Sequence, residues 1–132
     1  DAIFTGEISG NELSRALASA DLLLNPSITE AFGNVTLEAM ACGLPVIAAE
    51  ATGATNLVRQ SVTGTLVDGT EPEEFADARE AEALDTERRR RHGEAALAIA
   101  KTMDWDSINS TVIRVYKHAI HKRQRLARMM GR

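Results

Sequence analysis

Residues 21–49 read DLLLNPSITEAFGNVTLEAMACGLPVIAA, and this stretch decides the fold. Its two ends, residues 21–25 and 45–49, are short runs that are apolar on both faces, as in strands covered by helices on both sides. Between them, residues 35–42 predict a helix, and Gly43 stands where a left-handed helix end favours glycine. This order of strand, helix and strand predicts two parallel strands joined by a right-handed crossover.

The same alternation continues on both sides of this unit. Residues 2–5 and 65–67 predict two further strands, which makes about four in all. Residues 12–20 predict a helix with Asn11 as its N-cap, and residues 55–60 predict a short one. We therefore expect an α/β fold with a Rossmann-like parallel sheet and flanking helices.

The C-terminal part is predicted to be all helical. Helical patterns cover residues 73–84, 86–101 and 106–128, and no strand pattern follows residue 71. Because no low-complexity linker interrupts the chain, we expect residues 1–132 to belong to one domain.

Charge is distributed unevenly along the chain. Residues 113–132 carry seven Lys or Arg and no acid, so the net charge of −4 leaves residues 1–112 at −11. An acidic body argues against general nucleic-acid binding. One cysteine excludes an internal disulfide and makes the cytoplasm the expected compartment. The apolar runs are too short to cross a bilayer.

The loop after the second predicted strand carries the polar chemistry. Ligands of open parallel sheets bind beyond the carboxyl ends of the strands, where this loop lies. Gly33 lets the backbone approach a ligand, and the amides that open the next helix favour a phosphate. Glu38 shares a helix face with Asn34, and its carboxylate can accept hydrogen bonds from the vicinal hydroxyls of a ribose. Spacing alone also fits a simpler interpretation, in which Gly33 only starts a helix and Glu30 only favours its dipole.

A longer pattern includes both acids. Glu30 and Glu38 form the E-x7-E motif in a run that resembles the signature of the retaining glycosyltransferases of family 4, which have the GT-B fold. The matching residues are Pro26, Ser27, Glu30, Phe32, Gly33, Val35, Glu38, Ala39, Met40, Ala41, Gly43, Pro45, Val46 and Ile47. Residues 4–6 (FTG) and 64–67 (GTLV) resemble flanking strands of that family. The similarity covers about residues 2–83 and implies a partial GT-B C-terminal domain.

The resemblance implies a role for each matched residue. Glu30 would be the catalytic carboxylate, lying beside the donor sugar and orienting its hydroxyls. Glu38 would hold the ribose hydroxyls. The residues between them would contact the sugar and the diphosphate; these donor-binding residues are Phe32, Gly33, Asn34, Val35 and Thr36.

The implied activity is that of a hexosyltransferase-class enzyme. Sugar would pass from a nucleoside-diphosphate sugar to a glycan, lipid or small-molecule acceptor with retention, without a metal or any other cofactor. The family's diphosphate-gripping Arg and Lys, the first strands and the acceptor domain would precede residue 1, so we expect this segment alone to be inactive. A GT-B nucleotide-sugar epimerase and a non-catalytic nucleotide-binding fragment stay open as alternatives, and the E-x7-E run favours the transferase.

Features outside the motif have simpler interpretations. We expect Cys42 to be a small buried packing residue and His92, His118 and His121 to lie at the surface. The basic tail beyond residue 120 has two interpretations, a solvated terminus or a peripheral contact with anionic lipid at the inner membrane face.

Overall fold

The computed structural model describes residues 2–29 and 31–129, apart from the Thr52 side chain. The chain divides into two compact units, Asp1–Lys101 and Thr102–Arg132. The elements of the first unit are, in chain order, α1 (Gly10–Ala18), β1 (Leu23–Asn25), α2 (Asn34–Ala41), β2 (Val46–Ala49), α3 (Thr52–Leu57), β3 (Gly64–Val67), α4 (Pro72–Leu84) and α5 (Thr86–Ala100). The second unit contains α6 (Trp105–Met129).

The sheet of the first unit is parallel and follows chain order, β1-β2-β3. Leu23 of β1 is opposite Val46, and Ala49 at the end of β2 is opposite Val67. All four residues of β2 are fully buried. Successive side chains of a strand point to opposite faces, so β2 is covered on both sides. The predicted α/β fold with a parallel sheet is confirmed.

Two groups of apolar side chains hold the helices against this sheet. Phe75 and Ala78 of α4 pack on Ile47 and Ala49. A second group, made of Leu17, Ala39 and Leu44 with half-buried Leu13 and Leu23 beside them, joins α1 and α2 to β1. The strand that leads to the candidate site is therefore packed under the helix that follows it.

The prediction of a strand at residues 2–5 is wrong. Residues 2–5 have no regular structure, and Ile3 and Phe4 are 88% and 96% exposed. An apolar run becomes a strand only where a neighbouring strand accepts its backbone hydrogen bonds, and the described residues give residues 2–5 no such partner. The sheet described here has three strands.

The other predicted elements are present with small shifts. Ser9, not Asn11, is the N-cap of α1, and the short helix predicted at residues 55–60 is Thr52–Leu57. Gly43 has a φ of +77°, the left-handed conformation expected after α2.

A cluster of ionisable side chains, two buried and one half-buried, lies where α4, α5 and β3 meet. Glu82 is fully buried, and its Oε1 accepts from the Nε of Arg88 at 3.1 Å. The Nδ1 of His92 lies 2.7 Å from the same oxygen, and an Arg88 terminal nitrogen donates to the Thr65 hydroxyl at 3.4 Å. Among the residues that the structure describes, none makes a hydrogen bond to Glu82 Oε2. We call the side chains of Glu82, Arg88 and His92 the Glu82 cluster.

Two side chains lie elsewhere than predicted. His92 is buried in the Glu82 cluster, because the fold brings a carboxylate to meet its ring; His118 and His121 are exposed, as predicted. Cys42 is a free and exposed thiol, because it caps the C-terminal end of α2 on the helix surface and not in the core.

The second unit, described by itself, is a capped amphipathic helix. The Asp104 carboxylate accepts from the Ser107 amide at 2.9 Å and from its hydroxyl at 2.6 Å, which caps the first turn of α6. Within the part of the chain that the structure describes, neither α6 nor any other helix is long and apolar enough to span a membrane.

Candidate functional site

The carboxyl ends of the three strands meet at one edge of the sheet, and the predicted loop lies there. β1 ends at Asn25, opposite Ala48 of β2, and the loop of residues 26–33 leads from it into α2. Ligands of open parallel sheets bind at this edge. The structure therefore places the sequence-predicted loop where such a fold binds its ligand.

Gly33 makes the turn from this loop into α2. It is the N-cap residue, with φ +88° and ψ +45°, a left-handed conformation that favours glycine. The Leu37 amide donates to the Gly33 carbonyl at 2.9 Å. The amides of Asn34, Val35 and Thr36 precede that first helical bond, so they lie at the positive end of the helix dipole.

The predicted donor-binding residues divide into exposed and buried ones. Phe32 is 56% exposed, Asn34 is also exposed, and Val35 is half-buried. Gly33 and Thr36 are buried. The structure thus brings these residues together at the helix start, but it gives them different access to a ligand.

Glu38 lies one turn along α2, and Glu30 falls outside the described residues. The Glu38 side chain is exposed and lines a groove of about 310 Å³ between α1 and α2. Leu13 and Leu17 supply an apolar wall of this groove, and Cys42 lies on the same side as Glu38. An anionic acceptor beside an apolar wall suits a ligand that combines hydroxyls with a flat ring. The pairing of Glu30 with Glu38 stays a prediction.

The carboxyl end of β3 contributes a second loop to this edge of the sheet. A Cβ built on Gly69 would overlap the Ile28 side chain, so the β3 loop lies directly under the β1 loop. The Asp68 carboxylate accepts from the Thr70 amide at 2.9 Å and from its hydroxyl at 2.7 Å. These bonds hold the pKa of Asp68 below its usual value, which keeps the carboxylate charged in this turn.

One residue of the site was not singled out from the sequence. The Asn25 side chain donates to the Thr36 hydroxyl at 3.3 Å, and its oxygen accepts from the Ser27 amide at 3.2 Å. The only sequence signal was a polar residue closing an apolar strand. Asn25 therefore joins the strand end, the loop start and the helix start.

Among the described residues, metal-binding side chains do not gather at this edge. Across residues 2–29 and 31–129, no group of three or more His, Cys, Asp or Glu side chains lies close enough together to hold a metal ion.

Comparison with known proteins matches residues 1–81 to the family described as glycosyl transferases group 1. The chain belongs to this family. It is 42% identical over 101 residues to the D-inositol 3-phosphate glycosyltransferase of Kribbella flavida, which covers 76% of the chain and 24% of that relative. The chain spans about a quarter of the length of such group 1 relatives.

Solved structures of glycosyltransferases share the fold. Anabaena HepE in complex with UDP-glucose superposes with a TM-score of 0.74 at 33% identity, covering 83% of the chain and 30% of HepE. The C-terminal domain of the group 1 protein LpcC from Francisella tularensis gives a TM-score of 0.70 at 27% identity, covering 76% of the chain and 52% of that domain. The expected GT-B C-terminal fold is confirmed.

Proposed function

We propose that this chain is the donor-binding part of a longer enzyme that transfers a sugar from a nucleoside-diphosphate sugar to an acceptor. The observation that carries the proposal is the start of α2 at the carboxyl edge of the sheet, with Glu38 exposed one turn along. HepE, which shares this fold, has been solved with UDP-glucose. Known relatives are glycosyltransferases, which favours transfer over the epimerase alternative.

The start of α2 is suited to the diphosphate. Amides that precede the first helical bond, together with the helix dipole, attract negative charge without a cation. Phe32 and Asn34 are exposed beside these amides, where they would contact the sugar and the distal phosphate. We infer transfer without a metal, with the remaining positive charge supplied by other parts of the longer protein. We also infer retention of the anomeric configuration, with Glu30 orienting the sugar hydroxyls.

Glu38 is suited to the ribose. Its carboxylate accepts two hydrogen bonds at once, and the groove beside it has room for the attached base. Val35 is half-buried and Thr36 is buried, so their contribution to the diphosphate would come from the backbone.

The experiment is donor titration of the full-length protein. Calorimetry with UDP-glucose should show binding, and Glu38→Ala should weaken it about tenfold or more, because a hydrogen bond to a charged group contributes roughly 1.5–3 kcal/mol. Glu80→Ala is the matched control, since Glu80 is also exposed but lies on α4. Equal affinity of Glu38→Ala and the parent protein would refute the ribose assignment.

Product analysis tests the reaction. The anomeric configuration of the transferred sugar, read by proton NMR, should match that of the donor, and turnover should persist after chelation of divalent ions. An epimerised sugar nucleotide in place of a new glycoside would contradict the transferase proposal, and an inverted linkage would contradict retention.

We also propose that the C-terminal half of α6, which includes the basic tail beyond residue 120, makes a peripheral contact with anionic lipid. Its exposed apolar residues Leu126 and Met129 are three positions apart, the spacing of one helix face. Its polar face is basic and carries no acid beyond Asp106. Near its end, basic and imidazole side chains lie beside apolar ones on one face of the helix: His118, His121, Lys122, Arg125, Leu126 and Met129. Positive charge beside exposed apolar surface is typical of helices that lie in a membrane interface.

Sedimentation with vesicles tests the lipid contact. The full-length protein should bind vesicles that contain phosphatidylglycerol more tightly than pure phosphatidylcholine vesicles. The triple variant Lys117→Gln, Arg125→Gln, Arg128→Gln should lose most of this difference, because each basic residue near an anionic surface contributes about 1 kcal/mol. The matched control changes Arg15, Arg59 and Arg79, three exposed arginines of the first unit, to Gln. Equal loss in both triple variants would show a general charge effect and no site on α6.

A further inference from the structure

The end of β1 is tied to the start of α2 by one buried amide. Asn25 is the last residue of β1 and is 8% exposed, and Thr36 is fully buried in the first turn of α2. The Asn25 Nδ2 donates to the Thr36 Oγ1 at 3.3 Å. The Asn25 Oδ1 accepts from the Ser27 amide at 3.2 Å. A single carboxamide thus fixes both ends of the loop that carries the candidate site.

These bonds are costly to remove because they are buried. A buried amide or hydroxyl without a partner destabilises a protein by roughly 1–3 kcal/mol. Ser27 is only half-buried, so without the carboxamide its amide would be free to turn towards solvent. Loss of the carboxamide should therefore change the conformation of the loop as well as lower the free energy of unfolding.

The Thr36 hydroxyl accepts the hydrogen bond from Asn25 and is buried from solvent. Because it is held against Asn25, it does not extend towards a ligand at the helix start. Its position instead sets where the neighbouring amides of α2 point.

We propose that Asn25 is a positioning residue for the donor, acting through Thr36 and Ser27 on the loop and on the start of α2. This inference rests on the proposed donor site. A displacement of about 1 Å in groups that position a substrate can lower the rate of a reaction about a hundredfold. Asn25 touches no substrate in this proposal; it fixes the geometry of the groups that do.

A second consequence concerns charge. Aspartate at position 25 can keep both contacts, since a carboxylate oxygen accepts from the Ser27 amide and the Thr36 hydroxyl can reverse and donate. It also adds a buried negative charge close to the loop and helix start that would hold a diphosphate. Asn25→Asp should therefore leave the loop in place and still weaken the donor, whereas Asn25→Leu should release the loop.

The experiment uses the full-length protein with UDP-glucose as donor. Thr36→Val removes the hydroxyl but keeps the shape and the backbone amide, and it should weaken donor binding by about tenfold. Thr36→Ser restores the hydroxyl and should restore most of the affinity. Asn25→Leu should behave as Thr36→Val does, with a raised KM for the donor and an unchanged KM for the acceptor.

The matched control is Thr63→Val. Thr63 is also fully buried, and its hydroxyl accepts from the Arg59 amide at 2.8 Å. It precedes β3 and therefore lies at the amino-terminal end of the strands, away from the candidate site. The Thr63→Val variant should lower the unfolding midpoint as much as Thr36→Val does, while its donor affinity should be unchanged. Equal affinity of parent, Asn25→Leu and Thr36→Val would overturn the inference, as would an equal loss in Thr63→Val. If the parent protein does not bind the nucleotide sugar at all, the proposed function itself fails.

Discussion

Gly93 of α5 lies directly against the carbonyl oxygen of Gly43, at the C-terminal end of α2. A Cβ built on Gly93 would overlap this oxygen and would come within 3.6 Å of the Pro45 ring. The two helices therefore meet at backbone distance, which only a residue without a side chain permits. Because α2 carries the candidate site at its N-terminal end, this contact fixes the helix at the end opposite to the site.

Gly93→Ala tests that contact. Helix propensity alone predicts a gain of about 1 kcal/mol for alanine in place of glycine inside a helix. We expect the opposite, a loss of roughly 1–3 kcal/mol, because the added methyl group must push α5 away from α2. Urea unfolding of the full-length protein measures the change, and Ala98→Ser on the exposed face of α5 is the control. A higher unfolding midpoint for Gly93→Ala would contradict the contact.

Gly33→Ala and Gly43→Ala form a matched pair at the two ends of α2. Both glycines are in the left-handed conformation, with φ of +88° and +77°, so alanine at either should cost about 1–2 kcal/mol of stability. Only Gly33 borders the candidate site, where its Cβ would also approach the Leu57 side chain at 3.1 Å. We expect both variants to unfold earlier and only Gly33→Ala to bind UDP-glucose more weakly in calorimetry. Similar donor affinity in the two variants would argue against a donor at the start of α2.

Glu82→Ala should be strongly destabilising. It leaves the half-buried Arg88 guanidinium and the buried His92 ring without their common acceptor, and a buried polar group without a partner costs roughly 1–3 kcal/mol. Thermal unfolding of the full-length protein measures the loss. Glu80→Ala, exposed on the same helix, should change stability by no more than about 0.5 kcal/mol. A comparable effect of the two variants would mean that the Glu82 cluster does not stabilise the fold.

The cap of α6 should depend on pH. Hydrogen bonds from the Ser107 hydroxyl and amide hold the pKa of Asp104 below its ordinary value of 3.8. A carboxylate with a lowered pKa stabilises the helix start fully above that ordinary value, and the contribution is lost as the pH falls through the lowered pKa. NMR titration of the Asp104 carboxyl carbon and the Ser107 amide should show both shifting together below pH 3.8.

Asp104→Asn supplies the control for this titration. Asparagine caps helices about as well as aspartate, so the helix start should persist at neutral pH while its acid-dependent change disappears. A Ser107 amide that still titrates in this variant would assign the pH dependence to another group.

The sequence was sufficient for those elements that local chemistry decides. α2 is bounded by glycines at both ends, and its predicted limits differ from the observed ones by one residue. The failed prediction at residues 2–5 has a different cause, since strand formation depends on a partner that the pattern of one segment does not reveal.

The candidate site was predictable in its location but not in its internal contacts. Gly33 and Glu38 follow from a loop at a strand end and from helix spacing. The role of Asn25 depends on the distance across the loop to Thr36, eleven positions away, which no local pattern encodes. The burial of His92 was missed for the same reason, because charged and imidazole side chains are assigned to the surface until their partner is known.

The Glu82 cluster also constrains how this sequence can change over generations. A single replacement leaves a polar group without its partner. Exchanging all three side chains for apolar ones removes the desolvation penalty together with the hydrogen bonds. Substitutions at positions 82, 88 and 92 are therefore strongly non-additive. Among relatives, these three positions should be ionisable or apolar as a set, and intermediate combinations should be rare.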